Sequence, residues 1–162
     1  MAACSTAGSD ASPITASAAP SASSAALPPG VARRALTCAP APRRIFDAGC
    51  GTGYLLGQIA ARAPGAEVLA GIDAAPAMLE AARAAAADGR LRLAAGTAGR
   101  LPWPAASFDL VVSTTSFDHW ADQRAGLAEC ARVLAPGGCL VLADLFSALL
   151  LPTLLADVGN AP

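Results

Sequence analysis

Lysine is absent from this chain of 162 residues, and all eleven of its basic side chains are arginine. With the heavy load of alanine, glycine and proline, that pattern reads as the base composition of a GC-rich gene more than as chemistry. Charge of either sign is sparse: 14% of residues are charged and the net charge is -1. A basic footprint for nucleic acid or an anionic membrane is therefore missing. Histidine occurs once, as His119, and the five cysteines (Cys4, Cys38, Cys50, Cys130, Cys139) form an odd, scattered set with no C-x-x-C pair. That argues against a zinc site or any other metal centre and against a disulfide framework. Reduced, cytosolic thiols are the simpler expectation.

Long apolar runs are missing too. None reaches the roughly 18 residues of a membrane span. The nearest approach, residues 145–155, is interrupted by Pro152 and reads as a core helix with its exit loop. No Lys or Arg precedes Arg33, so the start of the chain has neither the positive opening of a secretory signal nor the arginines of a transit peptide. The Ala/Ser/Pro-rich residues 1–29 are expected to be disordered. Residues 30–162 then make one domain, long enough to bury a core.

What is present from residue 31 onward is periodic. Residues 31–38 suggest a short helix and 44–47 a short strand. Apolar positions at helical spacing predict a helix over 54–63, stopping before Pro64 and Gly65. The continuous apolar run 67–72 suits a strand buried on both faces. Pro76 takes the first position of a helix over 77–87. Strands follow at 91–94 and 108–113. Asp122 caps a helix through Leu134 that halts at Pro136-Gly137-Gly138, and 139–145 is a fifth strand. Strands alternating with helices imply an α/β fold with a mostly parallel sheet and ligands at the carboxyl ends of the strands.

The first of those ends carries the most information. Residues 45–55 read I-F-D-A-G-C-G-T-G-Y-L: an apolar strand, the acid Asp47, glycines at 49, 51 and 53, then an apolar helix. Glycine accepts positive φ and has no Cβ, so such a turn folds tightly and brings backbone N–H groups against a ligand. A dinucleotide fingerprint requires G-x-G-x-x-G, and neither register here supplies its last glycine, because Tyr54 or Leu56 stands there. An acid ahead of the turn suits a cationic amine better than a pyrophosphate. A second acid, Asp73, closes the second strand, where a carboxylate can accept both hydrogen bonds of a ribose diol.

D-x-G-x-G-x-G at 47–53, followed by Gly71-Ile72-Asp73, by 96–104 with Ser107-Phe108-Asp109, by 113–120 and by 128–138, resembles the class I S-adenosylmethionine-dependent methyltransferases, in their ubiquinone/menaquinone and malonyl-carrier-protein branch. The resemblance runs from about residue 43 to 146. It implies a Rossmann-like, doubly wound sheet in the order 3-2-1-4-5, S-adenosyl-L-methionine as cofactor, a small-molecule methyl acceptor and a cytoplasmic enzyme. It assigns the methionine end to Asp47, Ala48, Gly49, Cys50, Gly51 and Gly53, with Ser113 near it. Asp73 and Ala74 fall to the ribose, Thr97 and Ala98 to the adenine. Met78 follows the ribose acid and is expected in the core more than against the adenine. Thr97 stands where the family usually has an aspartate, which implies weaker contact with the adenine amine. His119 is the natural general base at neutral pH and Asp118 its rival, although a histidine packed beside Trp120 is the plainer reading. Glu129 and Arg132 form an i,i+3 pair before the Pro-Gly-Gly turn.

Family members continue past the fifth strand with two more, and here only five can be placed. The fifth strand is thus expected to expose an apolar edge, open to a partner or a second copy. Two other function classes stay open: a cofactor-binding module without turnover, and an NAD(P)-dependent oxidoreductase.

Overall fold

A computed structural model describes residues 30–86 and 88–144. The expected disordered segment 1–29, the end of the 77–87 helix and the apolar run 145–155 lie outside the described residues, wholly or in part. In chain order the elements are α1 (Val31–Cys38), β1 (Arg44–Ala48), α2 (Tyr54–Ala60), β2 (Val68–Asp73), α3 (Pro76–Ala85), β3 (Leu91–Ala95), β4 (Phe108–Thr114), a 3₁₀ turn (Phe117–His119), α4 (Gln123–Val133) and β5 (Leu134–Ala143). All strand pairs are parallel, in the order β3-β2-β1-β4-β5. This is the Rossmann-like doubly wound arrangement, with the switch in strand order between β1 and β4.

The pleat sends alternate residues of the central strands to two separate cores. Ile45, Leu69, Leu110 and Val112 pack under α1, α2 and α3 with Leu56, Ile59 and Leu79. Phe46, Ala70, Ile72 and Val111 pack on the other face with Cys130 and Val133 of α4. There Phe46 stacks on Phe108 with ring centroids 5.1 Å apart, and Trp103 leans on both rings. Aromatic pairs of this kind add about 0.5–1.5 kcal/mol each beyond the area they bury.

The Glu129–Arg132 pair does more than join neighbouring turns of α4. Glu129 accepts the backbone N–H of Leu101 at 2.7 Å, while Arg132 donates to the carbonyls of Leu101 and Trp103. Bonded first to Arg132 and then to the Leu101 N–H, the Glu129 carboxyl is held down at about 2. The pair clamps the segment after β3 onto α4, a role its spacing does not reveal.

Three features differ from expectation. Helix α2 ends at Ala60, because Arg62 N–H turns back to Ile59 O, three residues earlier, in a tighter closing turn. Strand β5 begins at Leu134, directly from α4, and pairs with Phe108. The register then shifts, with Gly137 at φ +77°, before pairing resumes at Cys139 opposite Leu110.

The third difference concerns the thiols. Cys38 at the end of α1 and Cys139 in β5 are joined by a disulfide, with Cα atoms 6.1 Å apart. The expectation of reduced thiols is thus corrected for this pair. The partners are 101 residues apart in sequence, and only the packing of α1 beside β5 brings them together. Cys50 and Cys130 are free and buried.

Candidate functional site

A cavity of about 690 Å³ opens at the carboxyl ends of β1, β2 and β4. A second hollow of about 770 Å³ lies between α2 and α3, but its acid, Asp88, is already paired with Arg90. The first holds the unsatisfied chemistry.

The glycine turn shapes its floor. Gly49, Gly51 and Gly53 have φ of +82°, +51° and +74°, all in the left-handed region that side chains avoid. Space adds a second constraint at Gly49, where a Cβ would lie 1.9 Å from Ser116 Oγ. The turn's N–H groups are largely engaged within the protein. Gly49 and Cys50 both donate to Ile72 O at 2.9 Å, and Gly53 donates to Cys50 O at 2.8 Å. Gly51 donates to Asp73 Oδ2 at 2.8 Å. The sequence pattern promised N–H groups free for a ligand; three of these four hold the turn against β2, and the fourth closes the turn on itself.

Three aspartates line the cavity; Asp122 is spent capping α4, which leaves Asp47 and Asp73. Asp47 is 1% exposed and its Oδ1 has no hydrogen-bond partner. Burial, reinforced by the charge of Asp73, pushes its carboxyl up to about 7. Asp73 accepts from Gly51 through Oδ2 and from Ala75 N–H through Oδ1, each at 2.8 Å. One further lone pair on each oxygen remains for a diol. The Cys50 thiol is raised by burial and by both acids, so it is a packing group, not a nucleophile.

Of the residues singled out in the sequence, Asp47, Gly49, Cys50, Gly51, Asp73 and Ala74 line the cavity. So do Met78, Thr97, Ala98 and His119. Met78 is therefore a wall residue rather than a core one. His119 is 79% exposed at its side chain, with Nε2 3.6 Å from Asp118 Oδ1; it stands at the rim instead of packing inside. Ala48, Gly53, Ser113 and Asp118 are not among the lining residues. Ala48 is buried in the α4-side core, and Gly53 begins α2. The Ser113 hydroxyl turns inward and donates to Ala48 O at 2.7 Å, tying β4 to β1.

Sequence reasoning missed Ser116 and Trp120 as a unit. Trp120 lines the cavity, its indole N–H donates to Ser116 Oγ at 2.9 Å, and its ring meets Phe117 edge-on at 5.1 Å. A Cβ on Gly126 would lie 2.3 Å from that ring, so α4 carries glycine where the indole packs. Asp144, at the end of β5, accepts from Ser116 N–H at 3.1 Å and Phe117 N–H at 2.8 Å. No spacing rule links an acid after β5 to a turn after β4.

The cavity, the glycine turn and the strand-end acids thus lie together at the switch point, where doubly wound sheets bind their ligands. Residues 46–142 match the methyltransferase domain family model, and the chain belongs to that family. A demethylmenaquinone methyltransferase of Deinococcus radiodurans is 46% identical over 105 residues, 64% of this chain and 43% of that protein. A malonyl-[acyl-carrier protein] O-methyltransferase of Methylococcus capsulatus is 41% identical over 103 residues, 62% of this chain and 37% of that protein. The crystal structure of an S-adenosylmethionine-dependent methyltransferase from Mesorhizobium loti superposes with a TM-score of 0.56 at 31% identity, covering 61% of this chain and 45% of that one. The chain thus spans less than half the length of these relatives. Each of them is a methyltransferase, which lends the oxidoreductase alternative no support.

Proposed function

We propose that this chain is an S-adenosyl-L-methionine-dependent methyltransferase acting on a small-molecule acceptor. The observation that carries the reading is the buried Asp47 carboxylate, with one oxygen unsatisfied, sharing a cavity with Asp73. A buried acid without a partner is costly, and a ligand amine relieves it. Asp73 is suited to the ribose diol, Ala98 N–H and the Thr97 hydroxyl to the adenine. A pyrophosphate at the glycine turn would meet the Asp47 carboxylate, and the dinucleotide glycine spacing is absent.

When bound, the cofactor supplies an electrophilic methyl group on a sulfonium, which passes in line to an acceptor lone pair. The chain's part is chiefly positioning and exclusion of water. Where the acceptor must lose a proton, His119 at the rim can take it, with Asp118 beside it. Demethylmenaquinone and malonyl-[acyl-carrier protein], the acceptors in the relatives' names, are the first two to try.

Calorimetric titration of the full chain with S-adenosylhomocysteine tests the cofactor reading; absence of heat at millimolar ligand overturns it. Transfer of labelled methyl to acceptors of the quinone and malonyl-thioester classes tests the activity. His119→Ala is expected to slow turnover more than threefold, and a smaller loss removes its catalytic role. Among the described residues β5 is an edge strand, and such an edge favours a homo-oligomer, which light scattering reads directly. The reading places the protein in the cytoplasm, where cellular thiols would reduce the Cys38–Cys139 bond.

A further inference from the structure

We infer that the Ser116 hydroxyl, aimed by Trp120, is the donor that receives the carboxylate of the cofactor's amino-acid end. The inference rests on the cofactor reading above and deepens it.

An amino-acid end is a zwitterion. Asp47 answers its amine, and its carboxylate needs donors close by. The glycine turn looks like their source, yet the N–H groups of Gly49, Cys50, Gly51 and Gly53 are engaged with Ile72 O, Asp73 and Cys50 O. A side-chain donor set directly against that turn is Ser116, whose Oγ fills the notch left by the missing Cβ of Gly49. The hydroxyl is held from several sides. Its oxygen accepts from the Trp120 indole at 2.9 Å, and its backbone N–H is bound by Asp144. It follows Thr115, a non-glycine residue at φ +48°. A left-handed threonine is costly and persists where surrounding contacts over-determine it.

A hydroxyl carries one donor and two acceptor sites. Trp120 uses an acceptor site of Ser116, and the Ser116 O–H donates to no described residue. It belongs to the cavity wall, so a fixed, unused donor is presented to the cavity that also holds the acid taking the amine. Trp120 is a positioning residue acting through Ser116. Gly126, where a Cβ would meet the indole ring, keeps room for it.

The test compares two ligands on the full chain by calorimetry: S-adenosylhomocysteine, and 5′-methylthioadenosine, which has the adenosine and sulfur but no amino-acid end. Ser116→Ala is expected to weaken S-adenosylhomocysteine about tenfold, the scale of a hydrogen bond to a charged group, and to leave methylthioadenosine within about twofold. Trp120→Phe, which keeps the hydroxyl but frees its rotor, is expected to weaken S-adenosylhomocysteine alone, by about threefold. Equal weakening of both ligands by Ser116→Ala shows a merely structural role and overturns the inference. So does unchanged binding of S-adenosylhomocysteine. If the wild-type chain binds methylthioadenosine and gains nothing from the amino-acid end, the inference fails while adenosine recognition stands. Binding of neither ligand overturns the cofactor reading itself, and the inference falls with it.

Discussion

Gly51 donates its backbone N–H to Asp73 Oδ2 at 2.8 Å, so the glycine turn after β1 and the acid ending β2 are one mechanical unit. Asp73 shapes the turn while facing the cavity. Asp73→Ala is therefore expected to damage more than a ribose contact. S-adenosylhomocysteine affinity should fall by about 10- to 100-fold, with a lower melting temperature in the ligand-free chain. A loss of affinity with no change in melting would show that Asp73 touches only the ligand.

Asp47 makes cofactor affinity depend on pH. Its carboxyl is raised by burial, and then by Asp73, from 3.8 to about 7. Binding of a protonated amine favours the ionised form, so affinity should rise with pH and level off above about 7. Below that point it should fall by up to about tenfold per unit. For the ligand-free chain the sign is opposite: a raised folded-state pKa stabilises at low pH, and that contribution is lost between 3.8 and about 7. Asp47→Asn should flatten both profiles and weaken binding at pH 8. A wild-type affinity indifferent to pH between 5 and 8 would contradict the assignment.

Gly126→Ala places a methyl group 2.3 Å from the Trp120 ring. The indole must move and its bond to Ser116 break. We expect a cost on the order of 1–3 kcal/mol in urea unfolding, together with a change in Trp120 fluorescence. An unaltered midpoint would mean that the ring has room to shift.

The Cys38–Cys139 bond ties α1 to β5, the strand at one edge of the described sheet. Oxidised protein should show two fewer titratable thiols than reduced protein. It should be more stable by about 2–4 kcal/mol. Cys38→Ser should abolish the difference. Melting curves that coincide with and without dithiothreitol would remove the bond's structural role.

The fold was largely legible in the sequence because its signals are local. A 2.0- or 3.6-residue period, a proline at a helix start and an aspartate cap each act within a few residues. Asp122 accepts from Ala125 N–H at 2.9 Å as its position predicted. The site was legible where chemistry and order coincide: Asp47, the glycines at 49 and 51, and Asp73 were named from spacing and line the cavity. Ser113 was not legible, because whether a strand-end hydroxyl turns to the ligand or to the neighbouring strand depends on the partner carbonyl, here Ala48 O.

The sequence by itself determined the order of elements, the glycine turn with its acid, and through them the methyltransferase family, since these depend on residue type at short range. Tertiary structure alone decided that the N–H groups of Gly49, Cys50 and Gly51 face inward to Ile72 and Asp73, that Asp47 Oδ1 lacks a partner, that Trp120 holds Ser116 against Gly49, and that Cys38 meets Cys139. Each of these depends on how distant segments pack, and a hydrogen bond or covalent bond between them becomes possible only once the sheet has set their separation.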